Sequence, residues 1–372
     1  MKNFLEFFAG GGMARIGLGA GWRCLMANDF DAMKCAAYRE NFGDDDLVEA
    51  DIASLGLKDL PKTRADLAWG SFPCQDLSLA GARAGFSGAR SSLFFEFWRL
   101  MDALRAARRA PRIVIVENVT GLLTSNGGAD FAAIVSKMAA SGYRVSAMVV
   151  NASAFTPQSR PRLFIFGFGA NAAPDFAARP EPDEYTPQSL LNTVDALSDD
   201  CAGAWRWIAA RPFNKRNAAL ADLVDADAED WRADLAERAL SMMTPRQRAV
   251  IDSLKADGAR HIGAAFRRVR MENGVRAQRV EARFDGLAGC LRTPAGGSSR
   301  QMLLMVEGEK VLARLMAPRE TARLMGLPED YRLPKSANQA LKLCGDGVCA
   351  PVVRWINEAI VEPALGDAAA AA

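Results

Sequence analysis

The tetrapeptide Phe72-Pro73-Cys74-Gln75 and the later Glu117-Asn118-Val119, which closes a strongly apolar run, supply a thiol and a carboxyl group. Together they can attack an electron-poor ring. A free Cys, with a pKa near ~8.5, is only a few per cent ionised at neutral pH, yet it is intrinsically very nucleophilic. A thiolate that adds to carbon 6 of a pyrimidine pushes electron density onto carbon 5, which otherwise resists an electrophile. A carboxyl that holds a proton at ring nitrogen 3 gives the developing charge somewhere to go. Cys74 fits the first part and Glu117 the second. The plain alternative for Cys74 is a small buried hydrophobe, as most free Cys residues are.

The chain has a single histidine, His261, in an Arg-rich stretch that reads as a separate domain. A Cys-His hydrolase needs an imidazole beside its thiol, so that class is excluded. The cysteines number seven, with no Cys-x-x-Cys pair, and Met1 opens into strand-like Phe4-Leu5-Glu6-Phe7-Phe8 instead of a secretory signal. A reduced, cytoplasmic protein is expected. Cys344 and Cys349 have no neighbouring Cys or His set, so no metal is expected. No apolar segment reaches the roughly 18 to 20 residues that span a bilayer, so no membrane contact is expected.

At 372 residues the chain is long enough for two domains. A net charge of +2 says little about partners, but its distribution says more. Seven Arg residues fall between Arg260 and Arg283, among Gly and Asn, as in a turn-rich stretch that tracks phosphates. The acidic residues from Asp222 to Glu237 fit the solvated face of a helix around Leu223, Trp231 and Leu235.

Along the first half, apolar runs alternate with helical patterns, as in a βαβ fold. Strands are expected over 3–8, 22–27, 65–70, 112–116, 143–150 and 162–168, and helices over 14–20 and 92–108. In such sheets ligands bind beyond the carboxyl ends of the strands. The turn Gly10-Gly11-Gly12, Asp29, Asp51, Cys74 and Glu117 all fall at or just after strand ends, so they can converge on one cleft. Asp29 stands 17 to 19 residues beyond the glycines, where an acidic side chain grips ribose hydroxyls. The plainer alternative is a helix N-cap for a segment starting at Ala32, and for Asp51 a cap or turn residue.

In order along the chain, from near Phe7 to near Trp355, these motifs resemble those of the bacterial-type DNA (cytosine-5) methyltransferases; residues 172–285 have no counterpart. Phe8-Ala9-Gly10-Gly11-Gly12 resembles the family's turn for S-adenosylmethionine, Asp29-Phe30 its ribose and adenine-stacking pair, and Asp51-Ile52 its adenine contact. Pro73-Cys74-Gln75 resembles the catalytic loop, with Pro73 at the cofactor, and Arg90-Ser91-Ser92-Leu93-Phe94 the motif whose Leu93 lines the cofactor pocket. Glu117-Asn118-Val119 resembles the acid motif. Gln158-Ser159-Arg160-Pro161-Arg162 resembles the Gln-x-Arg-x-Arg motif, which implies that Arg162 and Arg160 orient the target base and its phosphate. Pro318-Arg319-Glu320 and Gly345-Asp346-Gly347-Val348 resemble the last two motifs, with Asp346 and Val348 at the cofactor. Met13, Asp29 and Asp346 depart from the commoner Gly, Glu and Asn.

The resemblance implies an α/β, Rossmann-like methyltransferase sheet with helices on both faces and a smaller target-recognition domain. Residues 1–171 would form the first catalytic part, 172–335 the recognition domain, 336–363 the return of the chain beside the first strand, and 364–372 a frayed tail. Trp205 and Trp207 would fill the small domain's core, while Phe213, Lys215, Arg216, the Arg-rich run and the loop 292–300 offer an interaction surface. The loop 75–90, with Gly81, Gly85 and Gly88, would close over a flipped base. The implied activity is methyl transfer to carbon 5 of cytosine in a specific duplex DNA sequence through a covalent Cys74 adduct, leaving S-adenosylhomocysteine. The alternatives are a tRNA cytosine-5 methyltransferase, whose Cys-Phe-Thr segment this chain lacks, and a catalytically silent DNA-binding regulator. The implied setting is a bacterial cytoplasm, with the protein on the nucleoid when it holds DNA, working as a monomer with a companion restriction endonuclease as a further partner.

Overall fold

Strands buried on both faces read as near-continuous apolar runs, and helices must separate them if they are to pair in parallel. Lys2–Phe7 (β1), Trp22–Asp29 (β2), Leu67–Gly70 (β4) and Ile113–Val119 (β5) are largely buried in this way, while the short Leu47–Glu49 (β3) is a half-buried edge strand. The computed structural model describes residues 1–73, 93–209, 212–213, 216–272, 274–293 and 300–366. With Arg144–Asn151 (β6) and Pro161–Phe168 (β7), these strands form one seven-stranded sheet in the order β3-β2-β1-β4-β5-β7-β6. Only β7 runs antiparallel, paired to β5 on one side and β6 on the other. Strand order reverses between β1 and β4, so the segments leaving these strands part and open a crevice at the carboxyl edge.

Met13–Leu18 (α1), Ala32–Phe42 (α2), Leu93–Ala106 (α3) and Ala129–Ala140 (α4) cover this sheet. The first helix is shorter than its pattern suggested, because Gly19, at φ 77°, ends it. From α3, Phe94, Phe97, Trp98, Leu100, Met101 and Leu104 are buried, and Phe97 meets Phe7 edge-on at 5.2 Å. Trp98 closes its one polar valence on Ser141 Oγ at 2.8 Å.

The chain divides into two compact units, one of Met1–Asn151, Pro161–Phe213 and Val352–Ala372, the other of Ala152–Arg160 and Asn214–Pro351. Residues 172–213, expected to open the recognition domain, therefore pack in the first unit. There Phe176–Ala177 (β8) pairs with Trp207–Ile208 (β9), and Arg206 N–H bonds Val145 O at 2.8 Å. This corrects the placing of the two tryptophans. Trp205 joins the core of the large sheet, edge-on to Phe131 at 6.0 Å, and Trp207 packs against it. Residues 364 and 365, expected to open a frayed tail, are instead ordered: Glu362–Leu365 is helical, Ala364 and Leu365 are buried, and Arg112 donates to Leu365 O at 2.7 Å.

In the second unit, Arg260–Glu272 (β10), Val275–Arg283 (β11), Met302–Glu307 (β12) and Lys310–Leu315 (β13) form an antiparallel sheet in the order β11-β10-β12-β13. Helices Ala233–Ser241 and Pro245–Asp257 give Ala236, Ala239 and Ile251 to its core, and Met243 joins them from the connection between the two. The Arg-rich run, expected to be rich in turns, is instead two long strands. Glu272 pairs with Val275, and Gly274, just before Val275, takes φ 80°. Along β10, β12 pairs only with Arg260–Ala265, so among the described residues the rest of the β10–β11 ribbon extends past the sheet.

Glu6 links β1 to α1. Its side chain is 2 % exposed and accepts from the backbone N–H groups of Ala14 and Arg15, while Oε2 has no hydrogen-bond partner. Burial pushes this carboxyl up to about 8, against the opposing pull of the Arg15 guanidinium. The folded state thus holds a proton that the unfolded chain releases near the ordinary value of 4.5. The group's contribution to stability is full below that value and is lost as pH rises through about 8. Glu6→Gln keeps an acceptor and cannot ionise. Urea melts of both proteins should show the variant gaining on the wild type between pH 5 and pH 9, with no further gain below pH 4.5.

Candidate active site

The site grows from the loose ends of the parallel strands. After β1 the chain turns sharply: Phe8, Gly10 and Gly12 take φ of 58°, 57° and 76°. For Phe8 this is a strained conformation, which a structure keeps only where its surroundings enforce it. At Gly12 a Cβ would lie 2.4 Å from the Phe42 ring, so no other residue fits. Two hydrogen bonds lock the turn, Ala9 N–H to Asn28 O and Gly12 N–H to Ala9 O, each 2.9 Å.

After β2, Asp29 is buried, and its carboxylate braces the glycine turn. Oδ2 accepts from Gly10 N–H at 2.8 Å and Oδ1 from Asp31 N–H at 2.9 Å. The cap of α2 is Asp31, which accepts from Met33 and Lys34 N–H, so Asp29 is not that cap. Phe30 follows with its ring 65 % exposed, a large aromatic face offered to solvent at the strand end. After β3, Asp51 caps the short helix Ile52–Ser54 through Ala53 N–H at 2.9 Å, while Ile52 is buried. Asp51 is thus a cap, as one of its readings had it, and its carboxylate is exposed.

After β4, Phe72 is buried and Pro73 is exposed. Cys74 lies outside the described residues, as do the loop 75–90, Lys215, residues 294–299 and the tail from 367. Leu93, the first residue of α3, is half-buried. At the end of β5, Glu117 is nearly buried and pairs with Arg162, Nε to Oε1 at 3.1 Å. The register explains the contact: Arg162 stands opposite Val119, one pleat from Glu117 on the same face of the sheet. Asn118, also buried, turns the other way. Its Nδ2 donates to Phe72 O at 3.1 Å, tying the chain two residues before Cys74 to the strand that carries Glu117.

Arg160, two residues before Arg162, belongs to the second unit and is 2 % exposed. Its guanidinium donates to Leu291 O at 3.1 Å, Gly345 O at 3.0 Å and Gly347 O at 2.7 Å. Gln158, fully buried, donates to Leu324 O and accepts from Leu291 N–H. Asp346 closes the helix Ala337–Asp346 and accepts from Thr293 Oγ1, and Val348 is buried nearby in sequence. A Cβ on Gly345 would lie 2.7 Å from the Arg292 backbone, so the two chains pass too closely for any side chain there. Arg216 donates to Ser153 O at 2.9 Å.

The first unit thus gathers Phe8, Gly10, Gly12, Asp29, Phe30, Asp51, Ile52, Pro73, Leu93, Glu117 and Arg162; the second holds Arg160, Asp346 and Val348. Sequence reasoning gave Asn28 and Asn118 no part of their own. Their signal is an amide at the end of an otherwise apolar strand. Among the described residues no cluster of acidic, His or Cys side chains suits a metal, and no helix is long and apolar enough to cross a membrane.

The chain belongs to the C-5 cytosine-specific DNA methylase family, whose profile matches residues 2–362. It is 26% identical over 377 residues to the Type II methyltransferase M.HpaII of Haemophilus parainfluenzae, across 97% of this chain and 89% of that protein. It is 25% identical to M.HhaI of Haemophilus parahaemolyticus, across 95% and 92%. Among solved structures it resembles a triple alanine mutant of Spodoptera frugiperda DNMT2, with a TM-score of 0.62 at 16% identity over 96% of this chain and 99% of that one. Entamoeba histolytica EhMeth gives 0.60 at 14% over 96% and 97%. At those identities the likeness establishes the fold alone. The family membership makes the chain an S-adenosylmethionine-dependent cytosine-5 DNA methyltransferase.

Asn118→Ala should release the Phe72 carbonyl and with it the backbone leading to Cys74. Steady-state methyl-transfer assays are expected to show kcat lower by roughly 10- to 100-fold, the usual result of displacing a reacting group by about 1 Å, with KM for the cofactor little changed.

Proposed function

We propose that the protein methylates carbon 5 of cytosine within a specific duplex DNA sequence, through a transient bond between Cys74 Sγ and carbon 6 of a base swung out of the helix. The observation that carries this reading is the Glu117–Arg162 pair at the end of β5, with the neighbouring Asn118 holding the carbonyl of Phe72. The pair offers a carboxyl and a fixed cation where the ring would lie, and the Asn118 bond holds Phe72, two residues before Cys74 in sequence, at the same strand end.

In this reading the Cys74 thiolate adds to carbon 6, and Glu117 holds a proton against ring nitrogen 3 as negative charge builds on the ring. Arg162 orients the base and, through its ion pair, the Glu117 carboxyl. S-adenosylmethionine, when bound, supplies an electrophilic methyl group for carbon 5. Loss of the carbon 5 proton to a base then expels Cys74 as thiolate and restores the aromatic ring. The base must leave the stack for any of this, at a cost of a few kcal/mol.

The residues at the ends of β1, β2 and β3 fit the cofactor. The left-handed turn at Gly10 and Gly12 bares backbone for close approach, Asp29 and Asp51 have lone pairs left for hydroxyls or amines, and the exposed Phe30 ring offers a stacking face. Pro73 and Leu93 would border this site. Asp346 and Val348 are assigned to the cofactor on their motif alone. Arg160, held by three carbonyls, would shape the 345–347 segment instead of meeting the base directly.

The second unit would bind the DNA. The free part of the β10–β11 ribbon carries Arg267, Arg268, Arg270, Arg276 and Arg279, and its Val269, Met271 and Val275 are exposed. Such a ribbon fits a major groove, and guanidinium groups pair well with phosphates. Relatives named Type II methyltransferases favour a companion endonuclease and a cytoplasmic setting.

Glu117→Gln should slow turnover by roughly 10²- to 10⁴-fold. Cys74→Ser should abolish turnover while duplex binding persists. Mass spectrometry on a 5-fluorocytosine duplex should find the wild type trapped through Cys74, and an adduct at another residue, or none, would sink the covalent mechanism.

A further inference from the structure

The β2–β3 ladder ends at the pair Asp29 and Glu49, yet the chain must hold its course for two more residues to deliver Asp51. Backbone pairing supplies one more bond, Ala50 N–H to Asp29 O at 3.0 Å. Beyond that a side chain takes over. Asn28 is 1 % exposed, and its Nδ2 donates both hydrogens, to Val48 O and to Ala50 O, at 2.9 Å each. The Ala50 carbonyl belongs to the same planar peptide as the Asp51 N–H, so fixing it fixes the plane from which Asp51 and Ile52 depart.

On its other side Asn28 reaches the glycine turn. Its carbonyl accepts from Ala9 N–H at 2.9 Å, and its neighbour Asp29 accepts from Gly10 N–H at 2.8 Å. One residue therefore grips both the turn after β1 and the segment after β3, with Asp29 and Phe30 leaving from between them. Packing alone does not ask for an amide here, since Asn is depleted in strands and an apolar side chain would fill the space. Its two donors do what an apolar residue cannot.

We infer that Asn28 is a positioning residue for S-adenosylmethionine, a clasp that sets the spacing between the glycine turn and Asp51. The inference rests on the reading of Gly10, Gly12, Asp29, Phe30 and Asp51 as the cofactor site. Asn28 acts through these neighbours.

Asn28→Asp keeps the shape and removes both donors, leaving a carboxylate facing two carbonyls. By calorimetry, its Kd for S-adenosylhomocysteine should rise roughly 10- to 100-fold, and KM for S-adenosylmethionine should rise with it. At saturating cofactor, kcat should stay within about twofold of wild type, a split that general loosening of the fold would not produce. Asn28→Ser, which keeps one shorter donor, should fall between, and it carries the test alone if Asn28→Asp does not fold. Phe30→Ala and Asp51→Ala provide the reference. If they weaken cofactor binding while both Asn28 variants bind as wild type, or lower kcat at unchanged KM, the clasp is overturned and the cofactor site stands. If Phe30→Ala and Asp51→Ala bind as wild type, the cofactor site itself is misplaced and the clasp falls with it.

Discussion

Where a β-ladder stops, the next carbonyls and N–H groups lose their strand partners, and any that are shielded from water must find others. In this protein the segments that follow β1, β2, β3 and β4 all leave the sheet at such a point. The structure answers the shortfall with side chains: Asn28 for Val48 and Ala50, Asp29 for Gly10 and Asp31, and Asn118 for Phe72. Each bond is worth only about 1 kcal/mol net, but an unanswered buried carbonyl costs more, so the loops have little freedom to settle elsewhere. The order of the active edge is a by-product of satisfying the backbone.

The residues proposed for chemistry stood out in the sequence because their types are rare together. A Cys after a strand, a Glu ending the next apolar run, a glycine turn and acidic residues at strand ends pointed to the α/β fold class that the structure has. The braces were not legible. Whether Asn118 faces a ring or a carbonyl depends on how closely the β4 and β5 loops approach, which spacing along the chain does not fix. The tryptophans misled for a similar reason. Trp205 sits in a stretch where no motif was read, yet that stretch doubles back along β6, and its rings enter the larger core.

Arg160 and Arg162 show how much a single turn of chain decides. They are two residues apart in one motif, yet Arg162 enters the ladder of β7 and meets Glu117, whereas Arg160 is enclosed by carbonyls of the other unit. A side chain's type announces that a cation is needed; only the register says where. The same holds for Asp29, whose carboxylate is one methylene shorter than the commoner Glu and is already engaged with two backbone N–H groups.

The ribbon of β10 and β11 has one more consequence. Past Ala265 the described part of β10 has β11 on one side alone, so its other edge, near the exposed Val269 and Met271, has no strand partner among the described residues. Such margins invite stacking with other copies into insoluble sheets. Arg267 and Arg276 on one face and Arg268, Arg270 and Arg279 on the other, with Glu281 paired to Arg268 and Arg270, leave a net positive margin that opposes such stacking.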